Sequence, residues 1–231
     1  MTGMIALAGG DEFRDGCEDM DRAILRAVPD EHPRVLIVPT AAANHSPSMA
    51  ASNGVSYFSG LDADAAPLMV LDRAGANDEA LLSPVDSAHV VYLAGGDPRY
   101  LLEVLKDSLL IEKLKGAVDR GAVVAGSSAG GMVLGSWMRY RDWAGALGVV
   151  PDVAVLPHHE RSQPDEIAGE MATSAPPGAL VLGIDAKTCC FGGPDGWTAI
   201  GPGAVTAYDQ GSWSRYHSGD SVPLTALPAA H

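Results

Sequence analysis

A layered α/β fold with a mostly parallel central sheet is predicted by three features of this 231-residue chain. Short apolar runs recur along it and end in glycine or proline. They are unalternated and rich in β-branched residues, as strands buried on both faces are. Between several of them lie segments with apolar residues at helical spacing, an alternation that points to parallel strands joined by crossover helices. Neither an internal repeat nor a linker divides the sequence. Residues 1–231 are therefore read as a single three-layer α/β domain, with helices on both faces of the sheet.

"MIALAGG" (4–10) reads as the first strand and its turn, and "RVLIVPTAA" (34–42) as the second. "APLMVLD" (66–72), "HVVYLAGG" (89–96) and "GAVVAGSS" (121–128) continue the series, followed by "ALVLGID" (179–185) and "TAIGPGAVTAYD" (198–209). Met20, Ile24 and Val28 share one helical face within residues 17–28. Residues 98–121 are long enough for two helices, with Pro98 suited to a first turn and Gly121 to an ending. The tail around "GWTAIGPGAVTAYDQGSW" reads as an antiparallel hairpin at the C-terminal sheet edge.

Composition narrows the function. Hydrophobic residues make up 47%, enough for a full core. The net charge of −14, from 15 basic and 29 acidic residues, repels phosphate backbones, so nucleic acid is not an expected partner. Cys17, Cys189 and Cys190 are odd in number and show no metal-ligand spacing, which fits a reducing compartment. The start has no basic region and turns acidic at once, unlike a signal peptide. No apolar run reaches the roughly 18 residues of a spanning helix. The expectation is a cytoplasmic protein with no membrane partner.

Gly126-Ser127-Ser128-Ala129-Gly130 fits G-x-S-x-G. In so glycine-rich a chain about 0.2 chance matches are expected, so context must supply the specificity. The match stands where an apolar strand meets a run that can open a helix, the setting of a nucleophile elbow. Ser128 has glycine at −2 and +2, whereas Ser127 has alanine at both, which selects Ser128. A close-packed helix start explains the local pattern equally well. A serine nucleophile needs a base. Of seven histidines, His158 and His159 follow a strand-like run in "VAVLPHHERS", while His32 and His45 lie in polar loops and His231 is terminal. No carboxylate or cysteine accompanies the pair at metal-ligand spacing.

With these residues the chain resembles the dipeptidase E and cyanophycinase family of serine peptidases, whose fold is like that of class I glutamine amidotransferases. The family's G-x-S-A-G stands at residues 126–130, its Gly-Gly turn before a Leu-rich helix is "LAGGDPRYLLEVL", and "ALGVVPDVAVLPHHER" places His158 on its histidine. The resemblance implies Ser128 as nucleophile and His158 as base. It implies oxyanion donors at Ala129 and the Gly95-Gly96 turn, and Asp142 of "RYRDWAG" as the acid, with Asp185 second. Candidate cations for a substrate carboxylate are Arg99 and Arg161, beside Arg139 and Arg141. Amidotransferases carry cysteine at the elbow, so glutaminase chemistry is not expected. The expected partner is a small peptide substrate, aspartyl dipeptide- or cyanophycin-like, without a cofactor or metal. A homodimer is allowed.

The chain departs from the pattern in three places. The family's "G-I-D-E" glutamate is Ala186, the aspartate shortly before the histidine is Leu156, and of the spaced arginines after the histidine Arg161 alone is kept. These changes motivate a second reading, a catalytically idle homologue that binds a metabolite or protein in the same cleft. A nucleotide binder ranks low, because neither Gly-Gly turn continues as G-x-G-x-x-G. Residues 9–13 spell "GGDEF", a diguanylate cyclase signature, but only eight residues precede it; it is read as coincidence, a turn that ends the first strand.

Overall fold

The computed structural model describes residues 3–209, 211–225 and 227. Gln210, inside the tail considered above, and His231 lie outside the described residues. The chain begins β1 (Met4–Ala8), α1 (Glu18–Arg26), β2 (Arg34–Val38), α2 (Pro47–Ser59), β3 (Asp64–Pro67), α3 (Glu79–Leu82) and β4 (Val90–Leu93). It continues α4 (Pro98–Leu105), α5 (Leu109–Asp119), β5 (Val123–Ser127), α6 (Ala129–Leu134), β6 (Gly135–Arg139) and β7 (Trp143–Gly145). Then come β8 (Val150–Leu156), α7 (Pro164–Ser174), β9 (Leu180–Ile184) and β10 (Cys189–Gly193). The last strands are β11 (Gly196–Ile200), β12 (Val205–Asp209), β13 (Ser212–Tyr216) and β14 (Ser221–Val222).

An eight-stranded sheet runs in the order β14-β11-β10-β1-β5-β4-β2-β3. Its pairs from β1 through β3 are parallel, and those from β1 out to β14 are antiparallel. Side chains alternate across the sheet. Ala6, Tyr92, Val123 and Ala125 pack on one face with Met20 and Ile24 of α1 and Phe58 of α2. Ile5, Leu7, Val91, Leu93 and Val124 pack on the other with residues of α4, α5 and α6. Burial on both faces is why these strands read as continuous apolar runs. Each fully buried Ile, Leu or Val contributes about 1.5–3 kcal/mol of transfer free energy.

A second, six-stranded sheet, β13-β12-β9-β8-β6-β7, joins the same core through Val153, Val155, Leu182 and Val205. The sequence pattern does not announce it. The tail predicted as one hairpin divides between the sheets: β11 pairs with β10 in the first and β12 with β13 in the second, and β11 and β12 do not pair with each other. The strand expected over 66–72 lies earlier, at Asp64–Pro67 on the sheet edge.

Local chemistry sets the boundaries near the cleft. Asp97 caps α4 by accepting hydrogen bonds from the N–H groups of Arg99 (2.9 Å) and Tyr100 (3.2 Å), with Pro98 at the first helical position. Ser108 caps α5 and so splits residues 98–121 into two helices. Among the described residues no helix is long and apolar enough to cross a membrane.

Candidate active site

The parallel strands β1, β4 and β5 end side by side, and the turns that leave them build one cleft of about 390 Å³. Ligand sites of α/β sheets lie at such carboxyl ends. Ser128 stands at the end of β5 with φ 48° and ψ −107°, a strained backbone for a residue with a side chain. Its N–H donates to Ala8 O (3.0 Å), and its carbonyl accepts from Met132 N–H (2.9 Å) as α6 begins. The flanking glycines are required by close approach. A Cβ on Gly126 would overlap the Gly130 backbone, and one on Gly130 would overlap the carbonyl of Leu93. The elbow expected at Ser128 is therefore present, and Ser127 is fully buried beside it.

Ser128 and His158 line the same cleft. His158 follows β8 in the left-handed region (φ 52°), held by its N–H to Gly9 O at 2.8 Å. Its ring lies against Gly10, where any Cβ would strike the imidazole. Nδ1 is buried without a hydrogen-bond partner, while the residue lines the cleft. Among the described residues no hydrogen bond joins Ser128 Oγ to His158. His159 turns the other way. It is 1% exposed, its Nε2 lies 2.6 Å from Tyr208 Oη, and burial holds its pKa below the ordinary histidine value.

Neither expected acid hydrogen-bonds His158 among the described residues. Asp142 is exposed in the loop between β6 and β7 and does not line the cleft. Asp185 Oδ2 accepts from Ala204 N–H (2.9 Å), and its Oδ1 is buried without a partner. At Ala186 the backbone N–H donates to Glu160 Oε2 (2.8 Å). Neither expected arginine lines the cleft. Arg99 sits over the Tyr140 ring at 4.9 Å, and Arg161 pairs with Glu160 at 3.2 Å.

The expected oxyanion donors differ in what their N–H groups meet. Gly95 N–H donates to Glu12 Oε1 at 2.7 Å and is already engaged. Gly96 lines the cleft, and Ala129 opens α6, where a first-turn N–H has no partner within the helix. No hydrogen bond from either N–H is present among the described residues.

The segment read as coincidence forms a wall of this site. Asp11, Glu12, Phe13 and Arg14 all line the cleft, opposite His45 and Met49 of the stretch that opens α2. Arg14 is an arginine at the rim, 69% exposed and 3.9 Å from Asp11 Oδ1. The signal that could have found these residues is positional: they follow β1, which neighbours β5, the strand that ends at Ser128. Among the described residues no group of three or more His, Cys, Asp or Glu lies close enough to hold a metal ion.

The profile of peptidase family S51 matches residues 4–191. A cyanophycinase of Trichormus variabilis is 28% identical over 210 residues, covering 83% of this chain and 69% of the relative. A cyanophycinase of Geminocystis herdmanii is 31% identical over 201 residues, covering 80% of this chain and 72% of the relative. The crystal structure of a peptidase from an acI-B1 actinobacterium superposes with a TM-score of 0.84 at 25% identity, covering 96% of this chain and 97% of the other.

Proposed function

Because the chain belongs to peptidase family S51, we propose that it hydrolyses a small peptide or isopeptide by serine acyl transfer at Ser128. The observation that carries this is the presence of Ser128, on a strained elbow, and His158 in one cleft. Ser128 Oγ attacks the amide carbonyl carbon and passes its proton to His158 Nε2. The imidazolium then protonates the leaving amine as the C–N bond breaks, giving an acyl-enzyme that water resolves by the same route. The developing oxyanion takes hydrogen bonds from Gly96 and Ala129 N–H, and loss of one such donor typically costs about 10²–10³ in rate. Arg14, at the cleft rim, is the cation suited to a substrate carboxylate, in the role first given to Arg99 and Arg161. Asp142, with Asp185 second, is the candidate acid that would orient His158 in this scheme, although neither carboxylate hydrogen-bonds His158 among the described residues.

A second reading rests on the buried, unpartnered Nδ1 of His158. For Nε2 to act as base, Nδ1 must carry the proton, and a buried N–H without an acceptor costs about 1–3 kcal/mol. An idle homologue that binds a peptide in the same cleft has no need of that tautomer. Incubation with α- and β-aspartyl dipeptides, other dipeptides and cyanophycin, followed by amine release, separates the two. The peptidase reading requires turnover that Ser128→Ala abolishes. Binding without turnover in the wild type supports the idle homologue.

A further inference from the structure

The loop after β1 carries a carboxylate that the scheme above leaves unused. Both oxygens of Glu12 accept short hydrogen bonds: Oε1 from Gly95 N–H and Oε2 from Ser127 Oγ–H, each at 2.7 Å. Three segments distant in sequence meet at this group: the loop after β1, the turn after β4, and the end of β5 that delivers Ser128. A Cβ built on Gly95 would lie 2.9 Å from Glu12 Oε1 and 3.4 Å from Ser128 Cβ, so the contact sits directly beside the nucleophile. Hydrogen bonds to a carboxylate are shorter and stronger than neutral ones and fix direction as well as distance. An N–H pointed at a carboxylate oxygen is not free to receive a second anion. Gly96 N–H, one residue on, carries no such bond.

We propose that Glu12 is a positioning residue for acyl transfer at Ser128. It braces the Gly95-Gly96 turn against Ser127, sets the Gly96 and Ala129 N–H groups in register with Ser128 Oγ, and removes Gly95 N–H from the oxyanion pair. This inference rests on the peptidase reading. Glu12 differs in kind from His158, since it touches neither the proton nor the bond in transfer.

The test uses the full chain, a fluorophosphonate probe, and the variants Glu12→Ala and Glu12→Gln, each checked for cooperative thermal unfolding. In the probe reaction Ser128 Oγ bonds to phosphorus, fluoride leaves, the hydroxyl proton passes to His158, and the phosphoryl oxygen takes the oxyanion position. The brace predicts that Glu12→Ala lowers the maximal inactivation rate about 10²-fold, the scale of a small misplacement of reacting groups. The half-saturating probe concentration stays within about threefold, since binding before reaction is unchanged. Glu12→Gln recovers most of the rate, because its amide oxygen accepts from Gly95 N–H and its NH₂ donates to Ser127 Oγ. An unchanged rate in Glu12→Ala overturns the proposal. So does equal damage in both variants, or a loss that grows when the probe carries an ammonium group, because each would make the charge of Glu12 a substrate ligand. If wild-type protein takes no label, the peptidase reading fails, and the brace is read separately from the Gly95 amide in glycine-selective ¹⁵N spectra. A hydrogen-bonded, exchange-protected amide in wild type and Glu12→Gln that is lost in Glu12→Ala upholds the brace. An amide unmoved by Glu12→Ala contradicts it.

Discussion

Two adjacent histidines have opposite fates here, and the difference sets what each substitution does. His158 turns onto Gly10 and lines the cleft, while His159 turns into the core against Tyr208. His158→Ala is predicted to reduce hydrolysis by about 10²–10⁴, the range of a general base, with little change in melting temperature. His159→Ala is predicted to cost about 1–3 kcal/mol of stability, since it strands the buried Tyr208 hydroxyl. Steady-state kinetics and thermal melts on both variants check the pair; a larger catalytic loss in His159→Ala would contradict the assignment. The sequence pointed to His158 through motif order, and periodicity could not separate it from its neighbour. The left-handed backbone at His158 is what turns the two rings apart, and no local composition encodes it.

The elbow is the element most legible in the sequence, because its glycines answer to sterics. Gly126 and Gly130 are each closed to a Cβ by backbone atoms, which rarely give way. Gly126→Ala and Gly130→Ala are each predicted to destabilise by about 1–3 kcal/mol, the usual cost of forcing atoms into a packed site. Chemical denaturation measures this, and a variant with unaltered midpoint would contradict the packing argument. The turn after β4 was equally visible, through its Gly-Gly pair and the Asp97-Pro98 helix start. The loop after β1 was not. Its residues 9–13 matched an unrelated signature, and their role comes from strand order, which sets β1 beside β5. Helix α2 also went unseen, because "PSMAASNGVSYFS" carries a weak apolar stripe: Ala51, Gly54 and Phe58 are its buried residues. Asp142 stands in the expected sequence interval, exposed in the turn between β6 and β7 and outside the residues that line the cleft.

At the scale of the whole molecule, the shared core of the two sheets places the end of β8, and with it His158, at the mouth of β1 and β5. The opposite face of the first sheet, under α1, buries an ionisable group. Asp21 of α1 is fully buried beside the Tyr57 hydroxyl, and burial outweighs that contact to raise its pKa from 3.8 to about 7. Between those values the folded state holds a proton that the unfolded state has lost. Stability from this group therefore falls as pH rises through the window, by on the order of 4 kcal/mol in all, and levels off above about pH 7. Asp21→Asn is predicted to be more stable than wild type at pH 8 and to lose that advantage near pH 4. Melting curves across pH check it, and parallel profiles for the two proteins would contradict it. The central claim is that this core presents one activated hydroxyl to the cleft. Peptide mapping after fluorophosphonate treatment tests it most directly. The account predicts a single adduct on Ser128, absent in Ser128→Ala and strongly slowed in His158→Ala; an adduct on Ser127 or elsewhere, or none on folded protein, would contradict it.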